Sequence, residues 1–217
     1  MKKIFMTLAA VAVAATMNAQ IYVGGGINLQ TGKTTNETTA GGVTTSVDDK
    51  STTFGITPEI GYKLDEKMAV GLAFGFTTTT SEPGTGVAGT SAKNTRNNFS
   101  FVPYFRYTFV TWDKLSVFAD AELGFSFGKV KNETTTGGVT TSAETKTNGF
   151  HFAVLPGISY QLSDKVNIVA KLGNGIGYWH EKIERPSAPG TTNESKSNTF
   201  GLNLNSLGLT FGAYYNF

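Results

Sequence analysis

The stretch LSVFADAELGFSFG, residues 115–128, decides the fold. Leu115, Val117, Ala119, Ala121, Leu123, Phe125 and Phe127 fall on one face, and Ser116, Asp120, Glu122, Gly124, Ser126 and Gly128 on the other. A period of two is the signature of a strand with one apolar face. Similar runs recur at 21–31, 52–64, 68–78, 97–111, 149–162, 166–179 and 198–217, which makes eight. Most are longer than the roughly 9–11 residues that a tilted strand needs to cross a bilayer.

The connections alternate in length. Short turns occupy Asp65-Glu66-Lys67, Trp112-Asp113-Lys114 and Ser163-Asp164-Lys165, and long polar segments occupy 32–51, 79–96, 130–148 and 180–197. All short turns therefore share one end of the molecule. This predicts an all-β, eight-stranded antiparallel up-and-down transmembrane β-barrel, with short periplasmic turns and four long extracellular loops.

Two repeats run through this plan. Pro58 and Tyr62, Pro103 and Tyr107, and Pro156 and Tyr160 repeat one spacing, each ahead of a turn that ends in Lys67, Lys114 or Lys165. The string NETTAGGVTTS at 36–46 differs at one position from NETTTGGVTTS at 132–142. The unit is a hairpin, and the first and third hairpins are near copies that lie on opposite sides of an eight-stranded ring. Gly-Gly between strand formers favours a tight turn, and threonine pairs well across strands. These two loops are expected to continue the barrel strands outward as hairpins.

Alternation alone does not say which face points inward. An eight-stranded barrel has room inside for ordinary side chains only. Phe54, Phe74, Phe76, Phe99, Phe101, Phe105, Phe109, Phe125, Phe127, Phe150, Phe152 and Phe211 cannot all enter it. The opposite face carries small residues such as Gly61, Gly71 and Gly75, so the apolar face must meet lipid. The inward set then holds Glu59, Asp120 and Glu122 against Lys63, Arg106 and Lys171, with Tyr104 and Tyr214 as polar links. An unpaired buried charge is costly, so a mutually paired, filled lumen is expected. Tyr62, Tyr107, Trp112, Tyr160, Tyr215 and Phe217 are expected at the interface on the turn side, with Trp179 and Tyr178 on the loop side. A change of apolar phase between Leu204 and Leu207 predicts a bulge near Asn205-Ser206.

The first residues read differently. Lys2 and Lys3, the apolar run Ile4 to Met17 and the small Ala19 have the layout of a secretory signal peptide, expected to be cleaved between Ala19 and Gln20. Residues 20–217 are expected to form the barrel domain. The chain carries 18 Lys+Arg against 16 Asp+Glu, and without Lys2 and Lys3 these charges balance. That balance excludes a nucleic-acid partner, which needs a basic surface. The charged fraction of 16% falls below the roughly 25% of soluble domains. No cysteine is present, which excludes a disulfide framework and thiolate chemistry.

The segment LGLTFGAYYNF at 207–217, with Tyr215 and Phe217, resembles the sorting signal read by the barrel-assembly machinery of Gram-negative outer membranes. With the Pro-to-Tyr strands and their Asp/Lys turns, the chain resembles the small Gram-negative outer-membrane β-barrel family of the Bacteroidetes type, OmpX-like and similar to the OmpA membrane domain. That resemblance implies an outer-membrane location and contact with outer-membrane lipids and lipopolysaccharide. It also implies assembly by the barrel-assembly machinery, and no peptidoglycan-binding domain is expected after Phe217.

No catalytic, cofactor-binding or metal site is assigned, and no enzyme activity is expected. Nucleophilic catalysis would need a serine, a histidine and an acid within hydrogen-bond reach. Neither His151 nor His180 is expected on the lipid face, where a lipid-modifying enzyme would need it. The expected role is structural or adhesive, with threonine-rich loops presented to a surface protein or host ligand by a monomer. A narrow, porin-like channel for small or apolar solutes is the alternative, and a lipid-modifying enzyme the third reading.

Overall fold

The computed structural model describes residues 20–172, 175–188, 191–202 and 209–217. The signal segment 1–19 and the bulge expected near Asn205-Ser206 lie outside the described residues. Ten strands follow one another: β1 Ile21–Ala40, β2 Val43–Lys63, β3 Met68–Glu82, β4 Thr90–Trp112, β5 Leu115–Thr136, β6 Val139–Gln161, β7 Val166–Leu172, β8 Ile176–Ala188, β9 Thr191–Leu202 and β10 Leu209–Asn216. All pairings are antiparallel. Eight strands form a ring, β1 through β7 and then β10, which returns to β1. β8 continues the wall along the upper part of β6, and β9 lies on β8.

The expected seventh strand is described as β7 and β8 and the expected eighth as β9 and β10, with 173–174 and 203–208 outside the described residues. β6 pairs with both β7 and β8, at Gly157↔Lys171 and Val154↔Ile176.

The expected long loops are largely strand. β1 and β2 stay in register up to Ala40↔Val43 around Gly41 and Gly42, whose φ angles are 58° and 81°. β5 and β6 do the same up to Thr136↔Val139 around Gly137 and Gly138, at 56° and 83°. Two consecutive residues with positive φ are what a two-residue hairpin turn requires, and glycine supplies them without strain. Threonine hydroxyls pair beside each turn, Thr39 with Thr44 at 2.9 Å and Thr135 with Thr140 at 2.8 Å. At the other end Asp65 accepts from the backbone N–H groups of Lys67 and Met68, both at 2.7 Å, and closes its turn.

The phenylalanine face is outward and exposed at Phe54, Phe76, Phe99, Phe127 and Phe152, while Tyr22, Ala73, Tyr104, Phe118, Ala153 and Val169 are buried inside. A bulge in β4 passes over Phe109, between the pairs Thr108↔Phe118 and Val110↔Val117. It reverses the phase below it, which puts Trp112, an even-numbered residue, on the exposed surface.

One ladder row shows why the wall is rich in glycine. Tyr22, Gly61, Gly71 and Tyr104 are successive partners across β1 to β4. A methyl group on Gly61 would overlap the Tyr22 ring, and one on Gly71 the Tyr104 ring. The rings lie over the two glycines, and their hydroxyls meet at 2.8 Å. Gly71→Ala should therefore destabilise the barrel by about 1–3 kcal/mol through overpacking. Gly32→Ala, where a methyl group meets nothing within 4 Å, should cost far less. Urea titration of the refolded variants, followed by heat-modifiable gel mobility, checks the difference.

Candidate functional site

The lumen at mid-height holds the only charged residues of the chain that are buried among the described residues: Glu59, Arg106, Asp120 and Glu122, with Lys171 beside them. They come from β2, β4, β5 and β7, and each is there because its number has the inward parity of its strand. Arg106 and Asp120 are ladder partners, so their side chains leave the sheet on the same face. The guanidinium donates Nε–H to Asp120 Oδ1 at 2.6 Å and Nη2–H to Oδ2 at 2.8 Å. This two-pronged geometry is the strong form of a carboxylate contact. Asp120 is wholly buried. The guanidinium carbon stands 4.0 Å from the centroid of the Phe118 ring, within the range of cation–π attraction.

Lys171 joins the remaining acids. Its ammonium lies 3.2 Å from Glu59 Oε1, 3.4 Å from Asp120 Oδ2 and 3.6 Å from Glu122 Oε1. Tyr214 donates to Glu59 Oε2 at 2.7 Å and accepts from Arg106 at 3.3 Å. Glu122 also faces His151, whose Nε2 is 3.9 Å away. No buried side-chain nitrogen or oxygen lacks a hydrogen-bond partner among the described residues. The network ties β2, β4, β5 and β7 together across the lumen.

Lys63 stands apart from the set in which the sequence placed it. It lies four residues nearer the turn than Glu59 on β2, and it lines a cavity of about 150 Å³ at the turn end with Thr111, Ser116, Phe118, Ser159 and Tyr214. Three carboxylates therefore share two cations, with His151 on the third side. His151 sits on the inner face, where its ring occupies the space over Gly124.

Tyr62, Tyr107, Trp112, Tyr160 and Tyr215 are outward and exposed at the turn side. The Tyr215 and Phe217 rings meet edge to face at 5.1 Å. Trp179 corrects the interface set. It is the ladder partner of His151 and shares its inner face, while Tyr178 next to it turns outward against Phe150. Two adjacent aromatics on one strand cannot both face lipid. His180 is also a correction, because it lies outside against the Phe150 ring at 5.2 Å. Its Nδ1 meets the side-chain oxygen of Asn198 at 2.7 Å, which also accepts from the Tyr178 hydroxyl.

One contact was missed from the sequence. Arg96 on β4 reaches Glu181 on β8, with Nη2 3.1 Å from Oε1. These strands are separated by β5 and β6, so the pair bridges the lumen mouth above the buried network. Arg96 has the parity of Tyr104 and Arg106, and that was the available signal. The assignment of 79–96 to a loop concealed it.

A closed antiparallel ring, apolar outside and charged within, with aromatic residues at the interface, defines an integral outer-membrane β-barrel. The chain belongs to the outer membrane protein beta-barrel domain family, whose model matches residues 4–217. No curated protein matches it. Among solved structures it is similar to the translocator domain of the autotransporter NalP from Neisseria meningitidis, at 17% identity and TM-score 0.49, over 91% of this chain and 64% of that one. It is also similar to Neisserial surface protein A, at 17% identity and TM-score 0.34, over 91% of this chain and 97% of that one. Ail of Yersinia pestis matches at 14% identity and TM-score 0.39, over 91% of this chain and 98% of that one. At these values the likenesses decide nothing about activity.

Removing one partner from a buried pair strands the other. Arg106→Met should cost about 3–5 kcal/mol, because it leaves Asp120 charged and uncompensated on that side. Adding Asp120→Leu to Arg106→Met should recover most of the loss. Equilibrium unfolding in urea of the single and double variants in lipid vesicles measures both.

Proposed function

We propose that this barrel is a non-catalytic surface scaffold, with a closed lumen that fixes the ring and threonine-rich hairpins that carry binding or adhesion. One feature supports this reading above the others: the buried lumen charges are mutually paired, while two near-identical hairpins extend the wall well beyond the apolar band. On β1 and β2 the last outward apolar pair is Leu29 and Phe54, and the ladder continues for eleven further pairs to Ala40↔Val43. At about 3.4 Å per residue that is roughly 35 Å of ordered, polar strand beyond the hydrocarbon. A floppy coat would not hold such a register. A surface protein or host ligand is the proposed partner of these strands, lipopolysaccharide the surrounding medium, and Tyr215 with Phe217 the signal for assembly.

Exposed salt links run along the hairpins and add a small, pH-dependent contribution. Lys33 and Thr35, both hydrogen-bonded to Asp48, keep its carboxyl below the usual range. Lys182 holds Glu194 low in the same way on the β8–β9 hairpin, at 2.7 Å. A carboxylate whose folded-state pKa is depressed stabilises the fold above its unfolded value, and that contribution is lost as pH falls through the folded value. Protection factors in both hairpins, with the intrinsic pH dependence of exchange divided out, should therefore fall on acidification below the ordinary carboxylate range and should be flat between neutrality and that range. Hydrogen exchange followed by mass spectrometry over a pH series reads this directly.

The closed lumen is tested by current. In planar bilayers the protein should give no steady single-channel conductance, and Arg106→Ser combined with Lys171→Ser should raise it. A sizeable, steady current through the unaltered protein would favour the channel reading instead.

A further inference from the structure

Among the described residues, three pairs of lysines stand directly opposite one another on neighbouring strands: Lys33↔Lys50, Lys129↔Lys146 and Lys182↔Lys196. All six have the outward parity of their strands. Like charges facing each other across a ladder are destabilising, so each pair calls for an anion beside it. Glu194 serves both Lys182 and Lys196, at 2.7 Å and 3.7 Å. Lys129 and Lys146 are served less well. Glu144 reaches Lys129 alone, at 3.1 Å. Glu184, the ladder partner of Lys146 on β8, is held by Lys182 at 2.7 Å. Among the described residues Lys146 therefore has no carboxylate within 4 Å.

What lies beneath separates the three pairs. Phe76, Phe99, Phe127 and Asn148 are successive ladder partners across β3 to β6, and the next outward row above them is Thr78, Asn97, Lys129 and Lys146. Lys129 and Lys146 thus stand directly on the last aromatic row of the apolar band. The three exposed rings and the two lysines border an open groove of about 440 Å³ on the outer surface of the wall, with Asn97 and Asn148 beside it. Under Lys33 and Lys50 the row Thr31↔Thr52 intervenes above Leu29 and Phe54. Under Lys182 and Lys196 the row His180↔Asn198 intervenes above Tyr178 and Phe200. Each intervening row raises the lysines by two residues, about 7 Å of strand. Aromatic rings mark the boundary between hydrocarbon and headgroups. Lys129 and Lys146 are therefore the pair at headgroup depth.

We propose that this groove seats one phosphorylated glycolipid of the loop-side leaflet, of the lipid A type, with its phosphate between the Lys129 and Lys146 ammoniums and an acyl chain along Phe76, Phe99 and Phe127. Charge, depth and polarity select this occupant. The Cβ atoms of ladder partners are roughly 5 Å apart, so two flexible lysine stems can converge on one phosphate, and an anion held between them removes their repulsion. The rings below lie in the apolar band, so the ligand must be apolar on that side, which a soluble anion is not. Asn97 and Asn148 add amide donors and acceptors at the level where sugar hydroxyls would lie. A glycerophospholipid would use the lysines and the rings and leave these amides without a role. The site is independent of what the hairpins bind.

Native mass spectrometry tests this. The refolded protein, released from phosphatidylcholine nanodiscs that carry phosphorylated lipid A, should retain one lipid A molecule. Lys129→Gln/Lys146→Gln should lower that retention about tenfold or more, the scale of two lysines at an anionic lipid surface. Lys33→Gln/Lys50→Gln makes the same change of charge away from the aromatic row and should leave retention unaltered. Lys129→Arg/Lys146→Arg should preserve it. Lipid A stripped of its phosphate should be held equally weakly by the unaltered protein and by Lys129→Gln/Lys146→Gln. Heat-modifiable mobility confirms that each variant is folded. Equal losses in the two glutamine variants would reduce the effect to net charge and overturn the proposal. So would retention indifferent to the phosphate, or phosphatidylglycerol held as firmly as lipid A.

Discussion

Every other feature of this molecule depends on the satisfaction of backbone hydrogen bonds in a solvent that offers none. A strand in hydrocarbon must have a neighbour on each side, so the sheet has to return to its starting strand. Here the return is made by β10 lying between β1 and β7. Once the ring is closed with eight members, its bore is fixed, and the interior accepts only what fits the bore. The inventory of inward residues is a consequence. Glycine is required where a tyrosine ring crosses the wall, and charged residues are admitted only where a partner of the opposite sign is in phase across the lumen.

The charged network takes its form from the same constraint. Arg106 and Asp120 are ladder partners on neighbouring strands, so their contact is dictated by register. Lys171 and Glu59 are on β7 and β2, separated in the ring by β10 and β1, and meet only because the bore is narrow. Lys171 stands within 4 Å of three carboxylates, so its ammonium is the point at which β2, β5 and β7 are tied together. Arg96 and Glu181 span the mouth in the same manner, but they are half exposed and screened by water, and an exposed pair of this kind contributes little to stability. The deep set therefore bears on the fold far more than the mouth pair does.

The sequence made the lower barrel legible and the upper part only partly so. Period-two alternation with phenylalanine on one phase identified the lipid face, and the inward charges followed from parity alone. Lys63 misled because parity gives a face and not a height. It lies on the correct side of β2 but too near the turn to reach the acids. Trp179 misleads because an adjacent pair of aromatics resembles one interface mark, whereas successive residues of a strand face opposite ways. The hairpins above the membrane carry no apolar alternation, since both of their faces meet water, so their strand character was readable only from threonine content and the Gly-Gly turns.

The duplicated hairpins add a last step. In ring order β1 and β2 stand opposite β5 and β6, so the two copies of NETT-x-GGVTTS rise on opposite sides of the bore. Their neighbours differ. The β5–β6 hairpin is flanked by β4 and β8, each paired with it well above the membrane, up to Thr90↔Thr136 and Lys146↔Glu184. The β1–β2 hairpin has β3 on one side only as far as Lys50↔Glu82, and no described strand on the other above Gly26. One sequence therefore stands once with its β5 strand covered to the tip and once with both outer edges free of a described strand near the tip. A ligand that recognises side chains on the face of the hairpin can bind both copies. One that recognises backbone by adding a strand finds more edge on the first, because in the second β5 is paired to its tip at Thr136 and only the stretch of β6 above Lys146 has no described strand on its outer side.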